Sequence, residues 1–351
     1  MNTRPIMLFL VLVVAANSAP AVAEGPVWQP LTGGMAWTAP VDFVAHGARC
    51  GQRAPHEFPE VLPDAVPSDC TLGATSILPE YEPGDVLVIP VVVHVITSGS
   101  GTGNLSDAVI ESQIDVLNED YLALPGTPGA LGTDAAIRFE LATTDPAGLP
   151  TTGITRTAND TWWNDSDEYG FKTTLGWDQN RYLNLYTNNT PYLGYSWFPQ
   201  WGIGWEDGVV INYQAFGRTS IPWPYNLGRT ATHEIGHYLG LLHPFEGGCG
   251  IATSPGCYTS ADLICDTNPD ATETYGCPAT TSCGGYAVPV ENYMEYTDDA
   301  CMELFSAEQA NRMRCSLINY RPNLYTISSS GEIFSNDFEA GNLDAWSVVS
   351  P

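Results

Sequence analysis

Residues 233–243 read HEIGHYLGLLH. On a helix, His233 and His237 stand one turn apart and project from the same face. Two imidazoles at that spacing hold one zinc ion. Glu234 sits beside them, placed to act on a zinc-bound water without binding the metal. Gly240 reaches the positive φ angles that end a helix sharply. That turn brings His243 back as a third ligand. Three histidines and one water make a catalytic site, because structural zinc sites are closed by four protein ligands. Three of the chain's 6 histidines fall in this stretch, which disfavours an amphipathic helix with incidental histidines.

The chemistry is set by the donors. Zinc lowers the pKa of its water from about 15.7 toward about 7. Glu234 takes a proton from that water and delivers it to the leaving nitrogen, as general base and then general acid. The expected reaction is metal-assisted hydrolysis of an amide bond, in a peptide or in a small amide.

The N-terminus predicts export. Residues 6–16 are an apolar run behind Arg4, and Ala21-Val22-Ala23 has the small-x-small form of a cleavage site. The run is short of the roughly 20 residues that span a bilayer. Residues 1–23 are therefore expected to be a signal peptide, with a secreted product. With 12 basic and 40 acidic residues, the net charge is −28. Such a surface repels nucleic acid and anionic membranes, so neither is an expected partner, and it offers carboxylates to calcium. A monomer acting on proteins or peptides is expected.

The chain has 9 cysteines, and export makes disulfides the default. The odd number leaves at least one thiol unpaired. Cys50, in the stretch GARCGQRAP, is the most isolated candidate. A Cys50–Cys70 pair is the alternative.

Hydrophobic patterning gives an element order. VLVIPVVVHVI (86–96) reads as a buried strand. Ser106 can cap a helix carrying Ile110, Ile114, Leu117, Tyr121 and Leu124 on one face. Residues 136–142, 181–187 and 208–216 read as further strands, and 228–242 as a helix. Gly, Pro, Thr, Asp and Cys then dominate to about 300, a texture of loops held by disulfides. Ser306 and Gln309 form a capping-box pattern before a closing helix at 306–320. TWWNDSDEYGF (161–171) reads as exposed loop packing. The fold class is α/β (α+β), with one sheet.

HEIGHYLGLLH matches the long zinc signature of the metzincins. The run NYMEYTDDACMELFSAEQANRMRC resembles the pappalysin family of metzincin zinc proteases, which includes bacterial ulilysin-like enzymes. IPVVVHVI, SQIDVLNEDY, DPAGLPTTGITR, LGYSWFP and GCPATTSCGG resemble it too, so the likeness spans about 86–321. It implies a metzincin-type zincin fold: a twisted mixed sheet and active-site helix over a disulfide-rich lower subdomain, with the substrate in the cleft between. Peptide would lie along an edge strand, with LGYSWFP involved.

The resemblance also implies roles. Met294 is similar to the turn methionine that floors the metal site. Tyr296 is similar to the tyrosine that stabilises the oxyanion. Asp262, the carbonyl of Cys265 and Thr267 match a calcium loop, and calcium takes such mixed oxygens. Cys277 is implied to pair with Cys301, and Cys283 with Cys257 or Cys249. Latent metzincins keep a free cysteine near Arg and Gly in an N-terminal segment, and Cys50 in ARCG fits that switch. Its thiolate would take the open zinc position. Arg49 would help by pairing with acidic groups of the cleft. Cys70 would then need another partner, and Cys315 is one.

The implied organisation is a signal peptide (1–23), a pro-segment (24–80), a catalytic domain (81–323), and a tail (324–351) that reads as a fragment of an appended module. Some pappalysins cut before arginine. No Lys or Arg occurs between Arg53 and Arg138, so such a cut cannot fall in 54–137. The acidic pair Asp298–Asp299 would favour basic substrates.

Overall fold

The computed structural model describes residues 49–53, 55, 69–220 and 223–328. The expected signal peptide and the tail from 329 onward lie outside these residues.

β1, Val86–Thr97, is β-branched along its length and almost wholly buried. That composition suits the central strand of a sheet covered on both faces. Ser106 accepts from the Val109 N–H and caps α1, Asp107–Tyr121. Ile110, Ile114, Leu117 and Tyr121 enter the main core as their spacing predicts. Leu124 lies past the helix end and is 37% exposed, so it is not part of that face.

β2 (Ile137–Leu141) and β3 (Ile154–Ala158) run parallel to successive halves of β1. Short helices α2 (Asp160–Trp163) and α3 (Glu168–Leu175) come next. Trp163 and Phe171 are buried in a second apolar cluster with Tyr186. The TWWNDSDEYGF stretch is thus helical and partly core, not an exposed loop. β4 (Leu183–Asn188) pairs parallel with β1. β5 (Gly194–Ser196) is the edge strand, antiparallel to β6 (Val209–Asn212), which pairs parallel with β4. The strand expected to reach 216 stops at Asn212, whose side chain accepts from the Gln214 N–H and starts a 3-10 turn.

α4, Arg229–Tyr238, carries the first two histidines. It ends four residues before the expected 242, because Gly240 takes φ 93°. Cystine-linked loops with the short strands β7 (Thr281–Ser282) and β8 (Tyr286–Ala287) fill the interval to α5, Ala307–Tyr320. Ser306 and Gln309 form the expected capping box on α5.

Four disulfides form: Cys70–Cys315, Cys249–Cys283, Cys257–Cys265 and Cys277–Cys301. Cys283 therefore takes Cys249, and Cys257 closes on Cys265. Cys50 is the free cysteine, and it is buried.

Packing continues on both sides of residues 81–323. Leu324 is buried in the main core, and β9 (Thr326–Ser328) pairs antiparallel with β1. At the other end, residues 69–81 are built into the molecule. Cys70 and Tyr81 share an apolar cluster with Cys315 and Tyr320. Buried Arg312 donates from Nη2 to the Thr71 carbonyl (2.7 Å) and from Nη1 to the Ala74 carbonyl (3.2 Å). Gln200 Nε2 donates to the Cys70 carbonyl (2.8 Å).

Candidate active site

α4 and the turn after it bring His233, His237 and His243 together. Their Nε2 atoms form a triangle with sides of 3.2, 3.0 and 3.3 Å. His233 Nδ1 donates to the Tyr293 carbonyl and His237 Nδ1 to the Leu241 carbonyl, each at 2.8 Å. Those bonds place the ring protons on Nδ1 and leave Nε2 lone pairs facing one another. Burial lowers all three imidazoles, His243 to about 3, so they are neutral and cannot relieve that repulsion by protonation.

The turn depends on Gly240. A Cβ there would lie 2.4 Å from Ser316 Oγ, besides the strain of its positive φ. The Gly240 carbonyl accepts from Arg312 Nε at 2.8 Å, so α5 holds the turn from beneath. Met294, fully buried, packs under α4 against Gly236, where a Cβ would lie 2.4 Å from Met294 Sδ.

Cys50 completes the group. Its Sγ is 3.6 Å from His237 Nε2, and the four donor atoms lie within 4.8 Å of one another. Tetrahedral zinc with bonds of about 2.0–2.1 Å to nitrogen and about 2.3 Å to sulfur requires N–N separations near ~3.3 Å and N–S near ~3.6 Å. The residues fit zinc on this geometry and on their chemistry, three neutral imidazoles and one thiol. Burial and Glu234 hold the thiol well above its ordinary range, so ionising it calls for a cation in the centre.

Glu234 is fully buried and faces the Cys50 thiol. Burial pushes it up to about 8, opposed by Cys50, Arg49 and Ser196. Tyr296 is packed with its ring 5.0 Å from that of His243 and 5.8 Å from that of His233, and it interacts with the Cys50 thiol.

Arg49 enters a buried recess beside the histidines. Its guanidinium stacks 4.5 Å from the Tyr225 ring centre, and Nη1 donates to Thr230 Oγ1 at 3.0 Å. Burial raises the carboxyls of Asp298 and Asp299, and the Arg49 charge opposes that rise. The side chain meets an aromatic face and a hydroxyl, with the carboxylates acting through space. Gly51 N–H donates to the Gly194 carbonyl at 2.8 Å, so this segment lies on the edge strand β5.

In the expected calcium loop, Asp262 is buried and accepts from Thr267 Oγ1 (2.6 Å) and the Ile264 N–H (3.2 Å). Burial pushes its carboxyl up to about 7. Cys265 is tied to Cys257, and its N–H donates to Glu308.

Sequence reasoning missed a polar hub behind the site. Asp120 on α1 accepts from Tyr293 Oη (2.8 Å) and Thr232 Oγ1 (2.6 Å) and pairs with Arg229 at 3.3 Å. It ties α1 to α4 and to the methionine turn. The available signal was the helical spacing that puts Asp120 on the same buried face as Ile110, Gln113 and Leu117.

Residues 169–318 match the family described as "Pregnancy-associated plasma protein-A", Peptidase_M43. An "Extracellular metalloprotease" of Verticillium alfalfae is 34% identical over 250 residues, 68% of this chain and 80% of that one. One from Arthroderma benhamiae is 32% identical over 275 residues, 74% of this chain and 90% of that one. Among solved structures, mirolysin in complex with compound 9 superposes with a TM-score of 0.58 at 37% identity, over 69% of this chain and 96% of that one. A Tannerella forsythia promirolysin mutant gives 0.57 at 37% identity, over 70% and 85%. Agreement of this extent runs through the histidine helix and the methionine turn, and the chain belongs to the pappalysin family, Peptidase_M43, of metzincin metalloendopeptidases.

Proposed function

We propose that the protein is a secreted zinc endopeptidase made as a latent precursor, with Cys50 closing the site. The observation that carries this reading is the Cys50 thiol 3.6 Å from His237 Nε2, beside the fully buried Glu234 carboxyl. His233, His237 and His243 would hold the zinc. When bound, zinc supplies a Lewis acid that acidifies water and polarises a carbonyl. Release of Cys50 frees one position for water and substrate. Glu234 then accepts the proton of the attacking water and passes it to the departing amide nitrogen. Tyr296 donates its hydroxyl hydrogen to the oxyanion. β5 pairs with the extended substrate backbone, as it does with Gly51. The recess filled by Arg49 accepts a basic side chain next to the scissile bond, stacked on Tyr225 near Asp298 and Asp299.

The names of the fungal relatives support secretion, in line with the signal peptide read at 1–23. The pro-segment that departs ends before Asp69, because residues 69–81 satisfy buried Arg312 and are tied to α5 by Cys70–Cys315. Calcium at Asp262, the Cys265 carbonyl and Thr267 is part of the proposal. A cation there would relieve a carboxylate that burial disfavours.

The test is a mass-spectrometric cleavage profile on a mixed peptide library. Zinc-loaded, activated protein is compared with its Glu234→Ala twin. Cuts made by the parent alone, enriched for Arg or Lys beside the scissile bond, are expected. No cuts by either protein, with one zinc bound to each, would sink the peptidase reading in favour of a binding protein or a small-amide hydrolase.

A further inference from the structure

In an endopeptidase closed by Cys50, the course of the Cys50 segment is a guide to where a substrate runs. Gly51 bonds to Gly194 on β5, Ser196 Oγ donates to Gln52 Oε1 (3.0 Å), and Trp201 Nε1 donates to the Pro55 carbonyl (3.4 Å). Pro55 is five residues beyond the thiol that sits at the histidines. It forms one wall of a cavity of about 300 Å³. Leu72, Leu242, Ala261 and Leu263 form other walls, and Glu246 lines it too. Leu242 and Leu263 belong to an apolar cluster with Trp197, Phe198 and Trp201, against which Leu72 packs. An apolar side chain is stabilised on such a floor. A carboxylate would lose water and meet Glu246.

Leu72 lies in the stretch that the sequence assigned to the pro-segment, yet it cannot depart with Cys50. Cys70 is bonded to Cys315, and the carbonyls of Thr71 and Ala74 accept from buried Arg312. Removing them would take these acceptors from the terminal nitrogens of a buried cation whose Nε is bonded to the Gly240 carbonyl, which is strongly unfavourable.

Building on the endopeptidase reading, we propose that this cavity is a substrate subsite for an apolar side chain about five residues from the scissile bond, and that Leu72 is a specificity-determining residue kept by the mature enzyme. The experiment uses the zinc-loaded full-length chain opened by cleavage just before Asp69, so that Pro55 departs with Cys50, with the product confirmed by intact mass. Peptides extend six residues to each side of a fixed cleavage point. They carry Leu or Asp at the fifth position of one side or the other. The readout is the Leu-to-Asp ratio of kcat/KM within each preparation, which does not depend on the fraction folded. The parent is expected to prefer Leu about tenfold on one side. Leu72→Asp, and Ala261→Leu filling the cavity from another wall, should each bring the ratio close to unity. Leu131→Ala, at a leucine 74% exposed elsewhere, should leave it unchanged. Equal cleavage of the Leu and Asp peptides by the parent, or a preference that survives both cavity substitutions, overturns the subsite. Cutting without preference leaves the peptidase reading standing. A parent that cuts no peptide, short ones included, overturns both.

Discussion

At the scale of single residues, the site combines groups that water would not leave in these states. Glu234 is a fully buried carboxyl whose contacts with Cys50, Arg49 and Ser196 do not offset its burial, an arrangement tolerated where the group has protons to move. Glu234→Gln keeps the shape and removes the base. Turnover of a peptide should fall by about 10²–10⁴-fold or more with zinc content unchanged, checked by initial rates and metal analysis on the same sample. A second buried acid makes a pH prediction away from the metal. Burial and the nearby Glu168 charge push Asp165 up to about 7. The unfolded chain has an ordinary carboxyl near 3.8. Between those values the folded state holds a proton that the unfolded state has released, so this group's contribution falls as pH rises through the window. Asp165→Asn keeps an acceptor for Asn188 Nδ2 and Tyr195 Oη, and Asn suits the φ of 55° at this position. It should stabilise the fold at pH 8 by on the order of 2 kcal/mol, read as a higher thermal midpoint, and change it little at pH 4. An equal or lower midpoint at pH 8 would count against a disfavoured charge.

At the scale of elements, the molecule depends on contacts between segments far apart in sequence. Arg312 on α5 reaches the Gly240 turn with Nε and the Thr71 and Ala74 carbonyls with its other nitrogens. The turn that delivers His243 is thereby coupled to a segment near the N-terminus. Replacing both Cys70 and Cys315 by Ser should lower stability by about 2–5 kcal/mol in denaturant unfolding. Trimming the chain to residue 80 should do worse than trimming it to residue 54, because the shorter form also takes the Thr71 and Ala74 carbonyls from the terminal nitrogens of Arg312. Equal stability of the two trimmed forms would contradict this. Much of the element pattern was legible. β1, α1, α4 and α5 are marked by periodicity and caps, because burial on one or both faces leaves a regular trace. β3 and β5 are short and carry no such trace. β9 lies in a stretch whose acidic and aromatic residues suggested a separate module. The Cys249–Cys283 and Cys257–Cys265 pairings depend on loop paths that no local pattern encodes, and the resemblance left the first of them open. Tertiary anchoring of 69–81 was hidden in the same way, since Pro, Gly and Ala there look like a linker until Arg312 is placed. The histidines and Glu234 were legible because one helix and one glycine turn set their spacing. The Tyr225 recess was not, because its groups come from two stretches about seventy residues apart.

At the scale of the whole molecule, a sheet and α4 on one side and cystine-linked loops on the other frame a cleft crossed by the Cys50 segment. The strongly acidic chain, at −28, also carries the loop in which Asp262 is buried with its carboxyl pushed up to about 7. Adding calcium should raise the thermal midpoint of the parent and leave Asp262→Asn unmoved, with chelation restoring the lower value. A midpoint indifferent to calcium would rule out a calcium site at this loop. The proposed latency ties the scales together. In that reading one side chain, held by a strand pairing and an arginine recess, closes the cleft. Cys50→Ala should give the full-length chain peptidase activity that the parent lacks. The most direct measurement is zinc-edge X-ray absorption on the full-length parent. It should show one sulfur at about 2.3 Å with three nitrogens at about 2.0–2.1 Å, and Cys50→Ala should lose the sulfur as activity appears. A shell of nitrogen and oxygen only in the parent, with activity equal to that of Cys50→Ala, would contradict the claim that Cys50 closes the site.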